Sequence, residues 1–367
     1  MTKSVETPRI KHQAASDRSN FSVGASTSMI LYDDTYPSGL SEFGIHIPVS
    51  NSRTVKAFQH LAGHPVLGQC VRRWHVPRIT EILSREDLLR AHAAEYIERL
   101  FGEGLEAEIV KTYELIDPSG RFYRYDPSMA LFPLTDLFER ILVKVAGTVQ
   151  CCRIALEAGF CFYFGGGMHH AQVNYGNGFC LLNDVVISLR KLQAEGRIRK
   201  AWVIDVDAHK GDGTAAILQN DPGIATMSIH MATGWPLDGS PTLPDGSPNP
   251  SFIPSDVDIP IEAGEESDYV KRLLEGLHRL DDSFRPDVAL VVSGADPYER
   301  DALPSTSSLR LTLSQMLERD LTVYRFLADR GIPYAGVMAG GYGEDAWEVY
   351  ARFLEKVLLE RRDRGLF

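Results

Sequence analysis

From residue 136 onward, short runs of hydrophobic residues alternate with longer amphipathic segments. The short runs are rich in Val, Ile and Phe, and they predict strands over 160–164, 201–206, 224–229, 288–292 and 334–338. The amphipathic segments predict helices over 137–158, 181–195, 269–280, 313–330 and 347–360. Alternating strands and helices are typical of a parallel sheet covered on both faces, whose strands are hydrophobic throughout. The pattern therefore predicts an α/β fold with a mostly parallel central sheet.

The N-terminal half carries a weaker version of the same pattern. It predicts a strand over 28–32, a helix over 51–67 and a further helix after Ser84, which is a suitable N-cap with Asp87 in the first turn. Residues 1–27 are polar and are predicted to be a disordered leader, so a single domain is expected over 29–367. The segment 231–258 is dense in Pro, Gly and Ser and predicts a long loop, either a binding loop or a surface insertion.

Charge and composition narrow the classes of function. The chain has 367 residues and a formal net charge of −11, which disfavours binding to nucleic acid and would attract cationic substrates. Its five cysteines form no C-x-x-C pair, which indicates a reducing, cytoplasmic environment and no thiolate zinc site. No apolar run is long enough for a membrane span, so no membrane partner is expected.

Polar clusters follow four of the predicted strands directly. They are Gly165-Gly166-Gly167-Met168-His169-His170, Asp207-Ala208-His209-Lys210-Gly211-Asp212, Ser293-Gly294-Ala295-Asp296 and Ala339-Gly340-Gly341-Tyr342. Open α/β sheets bind ligands beyond the carboxyl ends of their strands. The four clusters are therefore predicted to meet at one edge of the sheet and to form the functional site.

A divalent cation explains the acidic residues in these clusters. Side chains alternate between the two faces of a strand, so residues 203, 205, 207 and 209 share one face. Burying carboxylates beside an imidazole on that face is costly without a compensating charge. Asp207 and His209 are candidate ligands, with Asp296 as the third, and this donor set suits catalytic Zn2+ or Fe2+. A salt bridge to Lys210 would be the simpler explanation, but it accounts for neither Asp296 nor the glycines.

The adjacent histidines His169 and His170 are candidates for proton transfer. A His near a metal site has a suitable pKa for general acid–base work, and it needs a carboxylate to orient its ring. Asp205 and Asp212 are the candidate carboxylates. Tyr342 could donate a hydrogen bond to an oxyanion, although a tyrosine after two glycines is alone a weak signal.

Seven separated motifs resemble the zinc-dependent histone deacetylase family. They are E-D-L-L-R-A-H-A-A-E-Y-I, G-G-G-M-H-H-A, N-G-F-C-L-L-N-D-V, D-V-D-A-H-K-G-D-G-T, S-I-H, G-A-D-P-Y-E-R-D and A-G-G-Y, and they occur in the order of the family, over roughly residues 29–360. The class IV branch and the bacterial histone-deacetylase-like amidohydrolases are the most similar in pattern. The resemblance implies the three-layer α/β/α arginase–deacetylase fold.

The resemblance also implies roles for individual residues. It makes Asp207, His209 and Asp296 the zinc ligands. It makes His170 the general base and acid, with His169 as its electrostatic partner, and Tyr342 the oxyanion donor. Asp205 would orient His169, and Asp212 would orient His170. The implied substrate tunnel consists of Gly178, Phe179, Trp235 and Gly341, and the implied structural potassium site includes Asp205 and Ser228.

The resemblance implies hydrolysis of acetyl or longer acyl groups from lysine in a protein or peptide. Alternatives are hydrolysis of acetylpolyamines or other small amides on the same fold, a non-catalytic acyl-lysine binding module, and an arginase-like ureohydrolase. Lys210 stands where the class I pattern has a second His, at a position that is not a ligand. No counterpart is found of the class I loop aspartate that grips the peptide backbone. The sequence predicts neither the oligomeric state nor the natural acyl length.

Overall fold

The computed structural model describes residues 29–35, 39–49 and 52–367, and the leader predicted over 1–27 lies outside these residues. The strands are β1 (Ile30–Leu31), β2 (His75–Val76), β3 (Phe160–Tyr163), β4 (Ala201–Asp205), β5 (Ile224–Met231), β6 (Val257–Ile261), β7 (Val288–Val292) and β8 (Tyr334–Val337). The helices are α1 (Ser52–Gly63), α2 (Val71–Trp74), α3 (Arg85–Leu89), α4 (Ala94–Leu100), α5 (Leu105–Thr112), α6 (Leu137–Ala158), α7 (Asp184–Ala194), α8 (Asp212–Leu218), α9 (Tyr269–Asp281), α10 (Leu313–Asp329) and α11 (Ala346–Asp363).

Within the described ranges, eight strands form one sheet in the order β2-β1-β3-β8-β7-β4-β5-β6, and each pair of neighbouring strands is parallel. The side chains of β4 alternate between two hydrophobic cores. Trp202 and Ile204 belong to the core that also contains residues of α1, α9, α10 and α11, whereas Ala201 and Val203 belong to the core that contains residues of α3 to α7. The molecule is therefore a three-layer α/β/α structure, as the sequence predicts.

The four strands followed by polar clusters are neighbours in the sheet. β3, β8, β7 and β4 lie side by side, and because they are parallel their carboxyl ends reach the same edge. This topology brings together segments that are more than a hundred residues apart in the sequence. The predicted meeting of the four clusters at one edge is confirmed.

Element boundaries differ from the prediction in places with identifiable causes. Ser84 caps α3 in a capping box with Asp87, as predicted. The helix predicted over 51–67 ends at Gly63, and a short 3-10 turn follows. Strand β6 begins inside the segment predicted as a loop. The strand contains Pro260, a residue that is untypical of strands. The strand lies at the sheet edge, where a proline without an N–H is tolerated.

Among the described residues, no helix combines the length and the hydrophobicity needed to cross a membrane.

Gly147 lies in the middle of α6 because of a close contact with β3. An added Cβ would lie 2.6 Å from the hydroxyl oxygen of Tyr163. We expect Gly147→Ala to destabilise the fold by about 1–3 kcal/mol through overpacking, although alanine favours helix formation. Gly63→Ala is the matched control, since an added Cβ there meets no atom within 4 Å and the change should be neutral or slightly stabilising. Equal stability of the two variants in urea unfolding would contradict this packing argument.

Candidate metal centre and active site

Asp207, His209 and Asp296 form a compact buried group at the sheet edge. Their ligand atoms all lie within 4.8 Å of one another. The Nδ1 atom of His209 lies 3.3 Å from Asp207 Oδ1 and 3.1 Å from Asp296 Oδ2. The other ring nitrogen of His209 lies 3.1 Å from the hydroxyl oxygen of Ser305, and such a second partner fixes the ring orientation of a metal ligand. One nitrogen and two carboxylate oxygens are a donor set that fits a divalent cation.

The backbone aims these carboxylates toward one another. Ala208 N donates to Asp296 Oδ1 at 2.9 Å, and Gly340 N donates to Asp207 Oδ2 at 3.1 Å. Gly340 has no space for a side chain, because a Cβ would lie 2.5 Å from Asp296 Oδ2 and 2.6 Å from Asp207 Oδ2. The glycines of the predicted clusters therefore allow the chain to pass close to the candidate ligands.

The electrostatics of the group also favour a cation. Burial disfavours charge on Asp207, but the rings of His169 and His209 outweigh it and hold the pKa of Asp207 below its usual range. The pKa of Asp296 rises to about 6, because this carboxyl is buried and lies beside the charge of Asp207. Two carboxylates that compete for ionisation in this way would both be stabilised by a bound cation.

The two adjacent histidines each pair with the predicted carboxylate. His169 Nδ1 lies 2.6 Å from Asp205 Oδ2, and His170 Nδ1 lies 2.7 Å from Asp212 Oδ1. Burial lowers the pKa of His169, but Asp205 and Asp207 outweigh it and raise the value to about 9. Burial and the neighbouring charge of His169 lower the pKa of His170 to about 4. The first ring is therefore protonated at neutral pH and the second is not.

The loop predicted over 231–258 reaches this pair at two points. The indole of Trp235 packs edge-on against the imidazole of His170, with ring centroids 4.5 Å apart. Ser251 Oγ donates to Asp212 Oδ2 at 2.7 Å. Of the two alternatives for this segment, the contacts favour a loop that takes part in the site.

The predicted tunnel residues do not all lie at the cavity. Phe179 lines the cavity, and Gly178 packs so closely that a Cβ there would lie 2.8 Å from a His170 ring carbon and would also clash with Trp235. Gly341 instead packs against Arg53 and Ala295 on the inner side of its loop. The tunnel assignment of Gly341 therefore stays a prediction.

Asp205 and Ser228 are buried partners in the register of β4 and β5. Asp205 Oδ1 accepts from Asp207 N at 3.1 Å, and Gly211 N donates to Ser228 Oγ at 3.5 Å. The potassium site at these residues also stays a prediction.

Tyr342 lines the same cavity as the candidate ligands and both histidines, and the cavity volume is about 410 Å3. Burial and the charges of Asp296 and Asp207 raise the pKa of Tyr342 well above its usual value, so the phenol keeps its proton. The backbone N–H of Tyr342 donates to Asp301 Oδ2 at 2.7 Å. Asp301 is the last residue of the G-A-D-P-Y-E-R-D motif, and the motif alone did not indicate this contact.

Two arginines that the sequence analysis did not single out fix the backbone of the site. Arg53 donates to the carbonyl oxygens of Gly341 at 2.7 Å and Ala339 at 2.9 Å. Arg319 is fully buried and donates to the carbonyl oxygens of Val206 at 3.0 Å and Gly294 at 2.8 Å. The sequence offers no signal for either residue, because both lie on amphipathic helices far from the motifs in the chain.

The fold and the site define a class of protein: an α/β protein with a candidate metal centre and paired histidines at the carboxyl edge of a parallel sheet. The family described as "Histone deacetylase domain" matches residues 47–358. The chain therefore belongs to the histone deacetylase family, and the resemblance seen in the motifs is confirmed.

Similar proteins agree with this assignment. "Histone deacetylase 2" of Arabidopsis thaliana is 25% identical over 278 residues, which cover 75% of this chain and 65% of that protein. "Acetoin utilization protein AcuC" of Staphylococcus aureus is 32% identical over 205 residues, which cover 56% of this chain and 51% of that protein. An uncharacterized protein of Picosynechococcus sp. is 32% identical over 230 residues, which cover 62% of this chain and 70% of that protein.

The solved structure titled "Crystal Structure of HDA15 HD domain" superimposes with a TM-score of 0.63 at 18% identity, and it covers 92% of both chains. This likeness confirms the arginase–deacetylase fold. Together the comparisons support a hydrolase of the deacetylase type.

We expect Arg319→Met to lower the free energy of unfolding by about 3–5 kcal/mol, because it leaves Asp320 as an unpaired buried charge and two carbonyl oxygens without a donor. Arg325→Met is the control on the same helix. The Arg325 side chain is 57% exposed in its pair with Glu360, so its loss should cost about 1 kcal/mol or less. Urea unfolding measures both, and similar losses would show that Arg319 does not hold the two strand ends.

Proposed function

We propose that the chain is a metal-dependent deacylase that hydrolyses the amide of an acylated amine, with acyl-lysine in a protein or peptide as the substrate class and Zn2+ as the metal. The observation that carries this proposal is the presence, in one cavity, of a three-residue metal-ligand set and a histidine paired with a carboxylate. Membership of the histone deacetylase family supports it. Acetylpolyamines stay an alternative substrate, without a specific contact that favours them.

Asp207, His209 and Asp296 would hold the metal ion. A bound divalent cation would polarise the amide carbonyl and make a neighbouring water more acidic. The chain itself supplies the groups that move protons and stabilise charge, and of these His169, His170 and Tyr342 line the same cavity.

His170 is suited to accept the proton of the attacking water, because its ring is neutral and its Nδ1 is held by Asp212. The resulting imidazolium is stabilised by the same carboxylate and can return the proton to the leaving amine nitrogen. His169, fixed by Asp205, keeps a positive charge beside it. The tetrahedral oxyanion would accept a hydrogen bond from the Tyr342 hydroxyl.

We expect Tyr342→Phe to lower kcat by about 10²–10³-fold with little change in KM, since the hydroxyl would bind the oxyanion more strongly than the ground-state carbonyl. Tyr123→Phe is the control, because the Tyr123 ring is 63% exposed and does not line the cavity. Steady-state kinetics on an acetyl-lysine peptide measure both variants. An unchanged kcat in Tyr342→Phe would exclude this role.

Chelation should abolish hydrolysis, and Zn2+ or Fe2+ should restore it. Elemental analysis and calorimetry should show about one tightly bound ion per chain, and Asp296→Asn should weaken binding because it removes one of two anionic ligands. Asp282→Asn, at an exposed carboxylate, should bind like the unmodified protein. Full activity after exhaustive chelation would exclude a metal-dependent mechanism.

A further inference from the structure

The cavity that contains the candidate metal ligands continues along the glycine loop Gly165–Gly167 to a second wall on the far side of that loop, which we call the inner wall. Its inner wall includes Arg53 and Lys144 together with apolar side chains such as Val143 and Tyr163. Arg53 is held close behind the metal ligands: it donates to the carbonyl of Gly341, and the adjacent Gly340 N donates to Asp207. The inner wall is thus a continuation of the active site.

Among the residues that the structure describes, the two cations of this wall, Lys144 and Arg53, have no carboxylate partner in an ion pair. Asp184 attracts Lys144 electrostatically, but its carboxylate already accepts from Gly167 N, Met168 N and the Thr148 hydroxyl. Burial and the charges of Arg53 and Arg140 lower the pKa of Lys144 to about 8, in keeping with an ammonium that lacks a paired carboxylate.

An uncompensated ammonium at the wall of a cavity is a site for an anion, because a buried charge is costly unless it is paired. The chemistry of the reaction decides which anion can reach it. Trp235 packs against His170, and Phe179 lines the same cavity as His170. We take the amine side of the amide to leave the metal centre between these two aromatic side chains. The acyl side then points inward, toward Lys144 and Arg53.

We propose that Lys144 and Arg53 form a carboxylate subsite, and that the protein removes acyl groups that end in a carboxylate, of the succinyl and glutaryl type. This inference rests on the proposed function and specifies the acyl group. The apolar wall contacts the methylene groups of the acyl chain, and the terminal carboxylate pairs with the Lys144 ammonium. The ammonium of Lys144 thereby gains the partner that the chain does not supply.

The test compares peptides that differ only at the end of the acyl chain. Succinyl-lysine is matched with butyryl-lysine, and glutaryl-lysine with pentanoyl-lysine, so that each pair has the same number of carbon atoms. The zinc-loaded protein should have a higher kcat/KM for the charged member of at least one pair. Lys144→Met should lower the charged-to-neutral ratio of kcat/KM by about tenfold, the size expected for one hydrogen bond to a charged group. Lys271→Met, at an exposed position on α9, should leave the ratio unchanged.

A preference for the neutral acyl groups, or a ratio that does not depend on Lys144, overturns the proposal. So does inhibition by free acetate that depends on Lys144 without any preference for charged acyl groups, since the subsite would then serve only the released product. If no acyl peptide is hydrolysed, the proposed function fails, and ligand binding decides the inference alone. In that case glutarate should raise the Tm of the protein but not that of Lys144→Met, and equal shifts overturn the subsite.

Discussion

The structure depends on the enforced proximity of two buried carboxylates, Asp207 and Asp296. They come from strands that neighbour each other in the sheet, and backbone N–H groups of Ala208 and Gly340 direct them toward the same point. Such an arrangement is unfavourable for the isolated chain, because burial and the charge of Asp207 raise the pKa of Asp296. A bound cation would convert this cost into affinity. The close approach of Gly340 and the hydrogen bonds of the buried Arg319 hold the backbone beside these carboxylates.

The paired histidines show how similar residues acquire different properties at such a site. His169 and His170 are adjacent in sequence and each contacts one aspartate. The ring that faces two carboxylates holds a proton, and the ring that faces a protonated neighbour does not. Two consecutive residues therefore differ in charge: His169 carries a positive charge, and His170 is a neutral proton acceptor. In the proposed hydrolysis this asymmetry divides the electrostatic and the proton-transfer roles between them.

The parts of the molecule whose structure follows a simple sequence pattern could be predicted. Strands buried on both faces are hydrophobic throughout, and the residues that follow them meet at one edge, so Asp205 and Asp212 could be anticipated as partners of the two histidines. Which aspartate pairs with which histidine followed from the family resemblance and not from this rule. Contacts made by long side chains from distant helices follow no such rule. Arg53 and Lys144 resemble ordinary polar positions of amphipathic helices, and only the packing of α1 and α6 brings them to the cavity. Strand β6 was not predicted because it contains Pro260, which is tolerated mainly in edge strands. That β6 lies at the edge is known only from the assembled sheet.

The loop between β5 and β6 contacts the site through Trp235, which packs against His170, and through Ser251, which donates to Asp212. The stretch between them, residues 238–246, is exposed to solvent throughout. Changes of length or composition there would leave both anchors in place, while loss of either anchor would disturb the entrance and the proton acceptor. The middle of the loop can therefore vary in sequence or contact a large substrate. Its two ends are constrained, because Trp235 and Ser251 contact residues of the site.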